Sequence, residues 1–266
     1  NYAVAIDDYH LGITHVLRGK DHLNNTLKQK WIYKYLEWDE PEYIHYGLVS
    51  IPNTNLKTSK IRESINNGEF SGWDDCRLAT LKGLARRGYR PETFLKYWEN
   101  SGLKEVDIKF SWQNFDAMNK DIIDSDSRRL FFVSDPVEFT METLDMLVKD
   151  APWHPDKPEL GKREEEIITG SKIYLQKSDV DSFSSDTIVR LKNLCNVSVK
   201  GKKLSFSGMA PQKGSKILQW CSAHTPIELV YPDGKIVSGI VEDNISELDG
   251  ETVQFERVGF VRLEGK

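Results

Sequence analysis

Cysteine is scarce in this sequence, and long apolar runs are missing. The 266 residues include three cysteines, Cys76, Cys195 and Cys221, which lie far apart and form no CxxC pair. This spacing argues against a zinc site and against a disulfide framework, and it predicts a reducing compartment, the cytoplasm. No apolar run approaches the roughly 18 residues that a membrane-spanning helix needs, so we expect no membrane partner.

Positive charge is not in excess either. The chain has 36 lysines and arginines against 41 aspartates and glutamates, which gives a formal net charge of −5. This balance argues against nonspecific binding to nucleic acid. It still allows a local basic face, because the field near a surface patch outweighs charges that lie beyond a Debye length.

Residues 1–52 predict one end of a parallel α/β sheet. Tyr2–Ile6 and Ile13–Leu17 read as strands, Asn24–Leu36 as a helix and Tyr43–Ile51 as a further strand. A strand–helix–strand order with a crossover is typical of parallel sheets. The chain starts with Asn instead of Met, inside a predicted strand, and we therefore expect a fragment.

The periodicity changes twice along the rest of the chain. Residues 53–120 predict helices, at Arg62–Asn66, at Leu78–Arg87, from Pro91 onward and at Ser111–Lys120. From residue 121 to residue 266, short apolar runs are separated by Gly, Pro, Asp and Asn. Many short strands at such spacing are typical of antiparallel barrels or sandwiches.

A basic polar loop precedes the first of these helices. Lys57, Lys60 and Arg62 lie close together at the predicted helix N-terminus. The free N–H groups and the positive potential of a helix N-terminus favour a polyphosphate there. A solvated basic turn is the alternative interpretation.

Segment 72–89 has acidic residues at one end and basic residues at the other. Asp74 or Asp75 is predicted to cap a helix that starts near Arg77, and Arg86 and Arg87 leave its far end. Cations at that end are favoured by the helix dipole. The charges serve the helix alone, or they form a ridge that contacts RNA phosphates.

These segments, in this order, resemble the glutamyl/glutaminyl class I aminoacyl-tRNA synthetases, and within them the archaeal-type glutamyl-tRNA synthetases. The resemblance covers nearly the whole chain and rests on Ala5–Asp8, Gly12–His22, Leu56–Lys60, Gly72–Tyr89, Asp135–Val137, His154–Pro158 and Gln254–Phe260.

The resemblance implies a multidomain α+β fold. Residues 1–52 would be the C-terminal part of a Rossmann-like α/β catalytic domain. Residues 53–120 would hold a KMSKS-type loop and a small helical connecting domain. Residues 121–266 would form an anticodon-binding domain of two antiparallel β-barrels, with the distal barrel at about 158–204 and the proximal barrel in the flanking segments.

The implied activity is the ATP-dependent attachment of glutamate to tRNA, through glutamyl-adenylate and then transfer to the tRNA 3′ end. ATP would arrive with Mg²⁺ as a substrate, and no metal bound by the protein is expected. The KMSKS-type loop places ATP against Lys57, Thr58, Ser59 and Lys60, and His22 is expected in the same pocket. Thr58 stands where the usual motif has a lysine, so the sequence leaves open whether Lys57 or Lys60 is the catalytic contact to the phosphates.

Arg18 is the residue that the resemblance assigns to amino-acid choice. In glutamyl enzymes the matching arginine faces the side-chain carboxylate of the substrate, which a guanidinium binds through two parallel hydrogen bonds. Glutaminyl relatives carry an uncharged residue there, because a buried arginine facing an amide would be costly. Arg18 therefore favours glutamate. A surface arginine at a strand end is the alternative.

Binding of tRNA is expected through basic residues of the helical part and of the barrels. The candidates are Arg77, Arg86, Arg87, Arg129, Arg190 and Lys192. Arg190 and Lys192 alternate on a predicted strand and so share one face, where they would read the anticodon loop or form a solvent-exposed strand edge that deters aggregation. The expected partners are glutamate and tRNA(Glu), with tRNA(Gln) left open, and we expect a monomer.

The sequence contains no HIGH-type ATP-binding motif. We therefore predict that these 266 residues alone do not aminoacylate but still bind tRNA. Two alternatives remain, a glutaminyl-tRNA synthetase and a non-catalytic tRNA-binding protein. Arg18 argues against the first, and Arg18 together with the Lys57–Lys60 loop argues against the second.

Overall fold

The computed structural model describes residues 1–52, 54, 56–143, 145–184, 187–243 and 245–265. Asn53 and Asn55, at the start of the predicted polar loop, lie outside the described residues. The chain divides into two compact units. The first consists of Asn1–Lys57 and Arg90–Ile122, and the second of Thr58–Tyr89 and Ile123–Lys266.

The helices and strands are numbered in chain order. The α-helices are α1 (Tyr2–His10), α2 (Leu23–Tyr35), α3 (Thr58–Asn66), α4 (Leu81–Arg86), α5 (Pro91–Ser101), α6 (Trp112–Asp124) and α7 (Lys177–Val180). The strands are β1 (His15–Gly19), β2 (Glu42–Tyr46), β3 (Val49–Ser50), β4 (Ile108–Lys109), β5 (Arg129–Leu130), β6 (Phe132–Ser134), β7 (Pro136–Glu142), β8 (Leu147–Pro152), β9 (Lys162–Ile167), β10 (Lys172–Gln176), β11 (Ile188–Leu191), β12 (Asn196–Lys200), β13 (Lys203–Gly208), β14 (Lys216–Leu218), β15 (Trp220–Cys221), β16 (His224–Val230), β17 (Ile236–Glu242), β18 (Thr252–Phe255) and β19 (Gly259–Arg262). Short 3-10 helices cover Lys20–His22, Pro158–Leu160 and Ile245–Leu248.

In the first unit, Arg18 lies on one strand of a parallel pair. Strands β1 and β2 are parallel, and their register sets Arg18 opposite His45. Helix α2 connects them, as a parallel pair requires, because its two strands cannot be joined by a tight turn. The predicted strand–helix–strand order is therefore confirmed for β1, α2 and β2. A second parallel pair in this unit joins β3 to β4.

The predicted strand at Tyr2–Ile6 is wrong, because these residues begin helix α1. A strand would bury alternate side chains, whereas Ala5 is the buried residue of this helix. Asp7 and Asp8 lie within the helix, which ends before Gly12 at φ +66°. A short Tyr-Ala-Val run has no decisive period, and alanine is the strongest helix former. Asn1 therefore precedes a helix and does not lie inside a strand.

The helices of the first unit pack through aromatic and buried polar side chains. The ring centroids of Tyr97 and Phe110 lie 4.9 Å apart, and those of Phe110 and Phe115 lie 5.3 Å apart. Buried Asn119 accepts hydrogen bonds from the Thr93 hydroxyl at 2.8 Å and from the Arg90 backbone N–H at 2.9 Å. Helix α5 begins at Pro91, as predicted, because proline suits a first helical turn.

In the second unit, helix α4 starts later than the sequence predicts. Its N-cap is Thr80, whose hydroxyl accepts from the backbone N–H of Gly83 at 3.0 Å. The predicted cap at Asp74 or Asp75 is therefore wrong. Asp75 instead accepts from the Arg77 side chain at 2.9 and 2.7 Å. Those bonds hold the pKa of the Asp75 carboxyl far below its ordinary range.

The rest of the second unit is built from β-sheets. Within the described residues, a seven-stranded sheet has the order β14-β11-β12-β13-β7-β10-β15, and two three-stranded sheets have the orders β16-β17-β6 and β19-β18-β5. Strands β8 and β9 form an antiparallel pair. The mixed α and β class is confirmed. The pairs β11–β14 and β13–β7 are parallel, so the large sheet is mixed and not wholly antiparallel.

A buried ionic cluster lies within the second unit. Glu242 pairs with Lys149 and with Arg163, whose Nη2 is 3.0 Å from its Oε2. Glu242 also accepts from the backbone N–H of Phe131 at 2.7 Å. The three charged side chains are 5%, 2% and 8% exposed. These bonds connect the β8–β9 pair to strand β17. Buried charges of this kind are tolerated only when they are paired.

Gly239 shows how closely β17 approaches β6. It pairs with Ser134, and a Cβ placed on it would lie 2.6 Å from the ring of Phe132. A side chain at this position would displace the ring. Glycine is therefore needed for close approach, the ordinary reason for a glycine inside a strand.

Candidate active site

Arg18 lies on β1 of the first unit and is held from two sides. Its Nη1 donates to the side-chain oxygen of Gln29 at 2.8 Å, and its Nη2 donates to the hydroxyl of Thr26. Its Cζ lies 4.8 Å from the centroid of the Tyr43 ring. Gln29 and Thr26 are one turn apart on α2, and Tyr43 is on β2. Two elements, α2 and β2, therefore fix the guanidinium of an arginine that β1 carries.

The partners of Arg18 are all uncharged. Within the described part of the chain the guanidinium forms no ion pair, and its buried Nε has no hydrogen-bond acceptor. A half-buried cation without a carboxylate partner is costly unless something else supplies one. The arrangement leaves the charge and several N–H donors available to an anion.

A cleft of about 600 Å³ adjoins the residues that hold Arg18, although Arg18 itself is not among the residues that line the cleft. Two of the residues that hold Arg18, Thr26 and Tyr43, line it, and so does His45. The cleft also contains the ion pair between Lys30 and Glu40, whose Nζ and Oε1 are 2.8 Å apart. The space is large enough for an amino acid, since ligand pockets start at about 300 Å³.

His22 lies near Arg18 in sequence but faces other partners. It is exposed, its Nδ1 is 3.2 Å from the side-chain nitrogen of Asn25, and its Nε2 is 3.6 Å from an oxygen of Asp21. It ends the short 3-10 helix that precedes α2. The predicted role of His22 in binding ATP stays a prediction.

The KMSKS-type residues span the start of helix α3. Thr58, Ser59 and Lys60 form its first turn, and Lys57 precedes it directly. All four are exposed. The basic segment lies at a helix N-terminus, as predicted, but the helix begins at Thr58 and not at Arg62, so Thr58, Ser59 and Lys60 belong to the helix and not to a loop before it. The first N–H groups of the helix have no partner within the helix, which is the property that favours phosphate binding.

The predicted tRNA-binding arginines of the helical part are engaged in internal contacts. Arg77 pairs with Asp75, with its Nη2 2.7 Å from Oδ2. Arg86 donates to both carboxylate oxygens of Glu264, at 2.8 and 3.0 Å from Nε. That pairing raises the pKa of Arg86 further above its ordinary value. The Arg87 guanidinium lies 5.4 Å from the centroid of the Tyr89 ring.

The predicted anticodon-facing residues differ in their partners. Arg129 is 3.6 Å from a carboxylate oxygen of Asp124, and Lys192 pairs with Glu256. Arg190 is held by neutral oxygens, at 3.1 Å on Asn196 and at 2.9 Å on the backbone of Met209. Strand β11 ends at Leu191, so Lys192 lies outside the strand, and the prediction that Arg190 and Lys192 alternate along one strand is wrong.

Two domain families match this chain. "tRNA synthetases class I (E and Q), catalytic domain" matches residues 1–125, and "tRNA synthetases class I (E and Q), anti-codon binding domain" matches residues 127–212. The chain belongs to the class I tRNA synthetases of the E and Q group.

Two relatives of this synthetase chain have the same name. It is 43% identical over 264 residues to "Glutamate--tRNA ligase" of Thermoplasma volcanium, a match that covers 99% of this chain and 48% of that protein. It is 39% identical over 277 residues to "Glutamate--tRNA ligase" of Methanocaldococcus jannaschii, with 100% and 49% covered. The chain therefore spans about half the length of the curated relatives that it matches.

A solved structure, "Crystal Structure of Glutamate-tRNA Synthetase from Elizabethkingia anophelis", matches more weakly. Its TM-score is 0.34 at 24% identity, and the match covers 46% of this chain and 30% of that one.

The sequence predicted Arg18 but missed the residues that hold it. Thr26 and Gln29 are 4% and 3% exposed, and Tyr43 and His45 come from the following strand. The signal was present in part. Two polar residues at i and i+3 share one face of the predicted helix, and polar side chains on a buried face need partners.

Two absences hold for the described residues of this synthetase chain. No group of three or more His, Cys, Asp and Glu side chains there is arranged to hold a metal ion. The helices of the described part are all too short or too polar to cross a membrane. Cys76, Cys195 and Cys221 are free thiols, and burial raises the pKa of Cys195 to about 11.

Proposed function

We propose that this chain serves the ATP-dependent attachment of glutamate to tRNA, as its named relatives indicate, and that Arg18 selects the amino acid. The observation that carries the proposal is the guanidinium of Arg18, which is fixed by Thr26, Gln29 and Tyr43 without a carboxylate from the described residues. The side-chain carboxylate of glutamate would supply the missing charge.

The choice of glutamate over glutamine follows from the same geometry. A carboxylate accepts two charge-assisted hydrogen bonds from a guanidinium, whereas an amide brings no charge and offers one oxygen. A half-buried cation would then stay uncompensated, which is costly. Arg18 therefore discriminates by charge, and this argues against a glutaminyl enzyme.

Lys57, Thr58, Ser59 and Lys60 are the proposed contacts to ATP, which would arrive with Mg²⁺ as a substrate. The support is their exposure at the N-terminus of α3, where the positive end of the helix dipole and two lysines favour phosphates. Lys60 and Lys57 are the proposed catalytic contacts, since charge that develops on the phosphates is stabilised by fixed cations. His22 is proposed as a further residue that binds ATP.

The proposed tRNA contacts lie in the second unit. They are Arg77, Arg86, Arg87, Arg129, Arg190 and Lys192. Arg190 has the strongest support, because its described acceptors are neutral, and its guanidinium therefore keeps its charge for RNA. The domain limits 1–52, 53–120 and 121–266 and the two barrels, with the distal one at about 158–204, belong to this proposal. The proposal also includes a monomeric state and the cytoplasm as the compartment.

The proposal is tested by tRNA charging with the native protein that carries this sequence. Radiolabelled glutamate and glutamine are compared with tRNA(Glu) and with tRNA(Gln). Glutamate should be attached to tRNA(Glu), and the second tRNA shows whether tRNA(Gln) also serves. Attachment of glutamine and not glutamate would contradict the proposal.

The 266-residue chain alone provides a separate test. Because it contains no HIGH-type motif, we expect no glutamate-dependent exchange of pyrophosphate into ATP, but salt-sensitive binding of tRNA in preference to a random-sequence duplex RNA. Steady exchange by this chain, or equal binding of both RNAs at low salt, would contradict the proposal.

A further inference from the structure

Gln29 provides an uncharged acceptor at a place where a charged one would fit. Its side-chain oxygen accepts from Arg18 Nη1 at 2.8 Å, and the side chain is buried at 3% exposure. Its amide nitrogen donates to the side-chain oxygen of Asn1 at 3.3 Å. That second bond orients the amide, because it places the NH₂ group away from Arg18 and the oxygen toward it.

Thr26 completes the neutral set on the same face of α2. Its hydroxyl accepts from Arg18 Nη2 and lies 2.8 Å from Nε2 of His45. The hydroxyl can donate its hydrogen to the ring nitrogen while its lone pairs accept from the guanidinium. Both acceptors of Arg18 on this helix therefore hold the guanidinium without cancelling its charge.

We propose that Gln29 is a specificity-determining positioning residue, whose neutral oxygen orients Arg18 and keeps the guanidinium charge available to the carboxylate of the amino acid. This inference rests on the proposed function, in which Arg18 binds glutamate. Gln29 would act on the substrate through Arg18, and an amide at this position leaves the charge of Arg18 uncancelled.

The physical reason lies in the near-identity of glutamine and glutamate in shape. Glutamate at position 29 would occupy the same volume and would pair with Arg18 more strongly, since charged hydrogen bonds are about twice as strong as neutral ones. The internal pair would be net neutral, and an incoming carboxylate would meet the repulsion of a second carboxylate. A merely structural role would be performed by glutamate at least as well.

Gln29→Glu in the native protein that carries this sequence separates the two roles. In glutamate-dependent pyrophosphate exchange, the KM for glutamate should rise about 10- to 100-fold, the loss expected for a charged hydrogen bond. The KM for ATP should stay within about twofold, because Gln29 touches Arg18 and not the proposed ATP segment. The discrimination between glutamate and glutamine should fall.

Gln113→Glu is the matched control. Gln113 is exposed on α6 and receives the same change of charge. Its KM values should stay within about twofold of those of the unaltered protein. A KM for glutamate in Gln29→Glu that equals that of Gln113→Glu would overturn the inference.

Gln29→Met keeps the inference testable if the glutamate variant does not fold. Methionine has a similar volume but no oxygen acceptor. The KM for glutamate should then rise about 3- to 10-fold, because Arg18 loses one orienting bond but keeps its charge. An unchanged KM for glutamate would overturn the inference.

The failure of this inference can be told from the failure of the proposed function. Arg18→Gln tests the function itself, since it removes the charge. If Arg18→Gln abolishes the use of glutamate while Gln29→Glu has no effect, the positioning role alone is wrong. If both leave the KM for glutamate unchanged, the proposed function is wrong as well.

Discussion

The guanidinium of Arg18 lies over the ring of Tyr43, with Cζ 4.8 Å from the ring centroid. The ring comes from β2 and the arginine from β1, and the two strands are parallel neighbours. The contact fixes the plane of the guanidinium, while Thr26 and Gln29 fix its rotation within that plane. A site that discriminates by two parallel hydrogen bonds needs both constraints.

The Tyr43 ring should therefore matter more than its hydroxyl. The hydroxyl is buried without a hydrogen-bond partner among the described residues. We expect Tyr43→Phe to keep the KM for glutamate within about twofold, and Tyr43→Leu to raise it about 2- to 30-fold, the range of a cation–π contact. Pyrophosphate exchange with varied glutamate measures both. Equal KM values for the two variants would contradict the role of the ring.

The same tyrosine gives a prediction on pH. Burial, with smaller contributions from Tyr33 and Asp8, raises the pKa of Tyr43 to about 12 from 10.0. Between these values the unfolded state binds fewer protons than the folded state, so the free energy of unfolding should fall as the pH rises. Urea unfolding of the 266-residue chain, measured from pH 9 upward in pH steps of about 0.5, follows this decline.

Two variants test whether Tyr43 causes this decline in the free energy of unfolding. Tyr43→Phe should weaken the dependence on pH, because the titrating group is gone. Tyr35→Phe removes a hydroxyl from a side chain that is 80% exposed and serves as the control. Identical pH dependence in the two variants would show that Tyr43 is not responsible.

Glu242 should be far more important to stability than an exposed glutamate. Glu242→Gln leaves the buried Arg163 without a carboxylate partner among the described residues and leaves Lys149 with Glu165 alone, 3.7 Å away, so the free energy of unfolding should drop by about 3–5 kcal/mol. Glu138→Gln is the control, because Glu138 pairs with Lys172 at the surface and is 50% exposed. Urea unfolding midpoints compare the two. A Glu242→Gln midpoint no lower than that of Glu138→Gln would refute the prediction.

Lys192 and Glu256 allow a test of the tRNA contacts by gain of affinity. Glu256→Gln removes the charge that pairs with Lys192. If Lys192 contacts a phosphate, tRNA binding by the 266-residue chain should tighten, and the slope of log affinity against log salt should steepen by up to about 0.7–0.9. Fluorescence anisotropy at several salt concentrations measures both.

Glu142→Gln is the matched control for that experiment. It removes the charge that pairs with Lys203 on β13, a lysine that is not among the proposed tRNA contacts. The affinity and the salt slope should then change less. Equal gains from the two substitutions would mean that added positive charge, and not Lys192 in particular, improves binding.

The sequence predicted the bounds of helix α2 within one residue but not the face that it buries. Leu27, Trp31 and Tyr35, the apolar residues of this helix at a spacing of four, are exposed, and its buried residues are Thr26, Gln29 and Tyr33. The β8–β9 pair was missed. Its inward positions include Lys149 and Arg163, which are buried in the ionic cluster. An alternating pattern of burial exists there, but charged residues conceal it from any reading of hydropathy.

The candidate site was predicted to a similar extent. The family resemblance identified Arg18, while Gln29 and Tyr43 depend on the crossing of α2 and the pairing of β1 with β2. Contacts of that kind arise from register and not from local pattern. The error at Asp75 has the same origin, because a carboxylate near a helix start can equally well bind a neighbouring guanidinium.

Selection of glutamate by Arg18 is tested most directly by Arg18→Gln in the native protein. The rate of glutamate-dependent pyrophosphate exchange, as kcat/KM, should fall by at least about 100-fold, since two charged hydrogen bonds are lost. The KM for ATP should stay within about twofold, and Arg128→Gln, at an ion pair with Glu251 in the second unit, should leave both values nearly unchanged. A kcat/KM for glutamate in Arg18→Gln that matches that of Arg128→Gln would contradict the account.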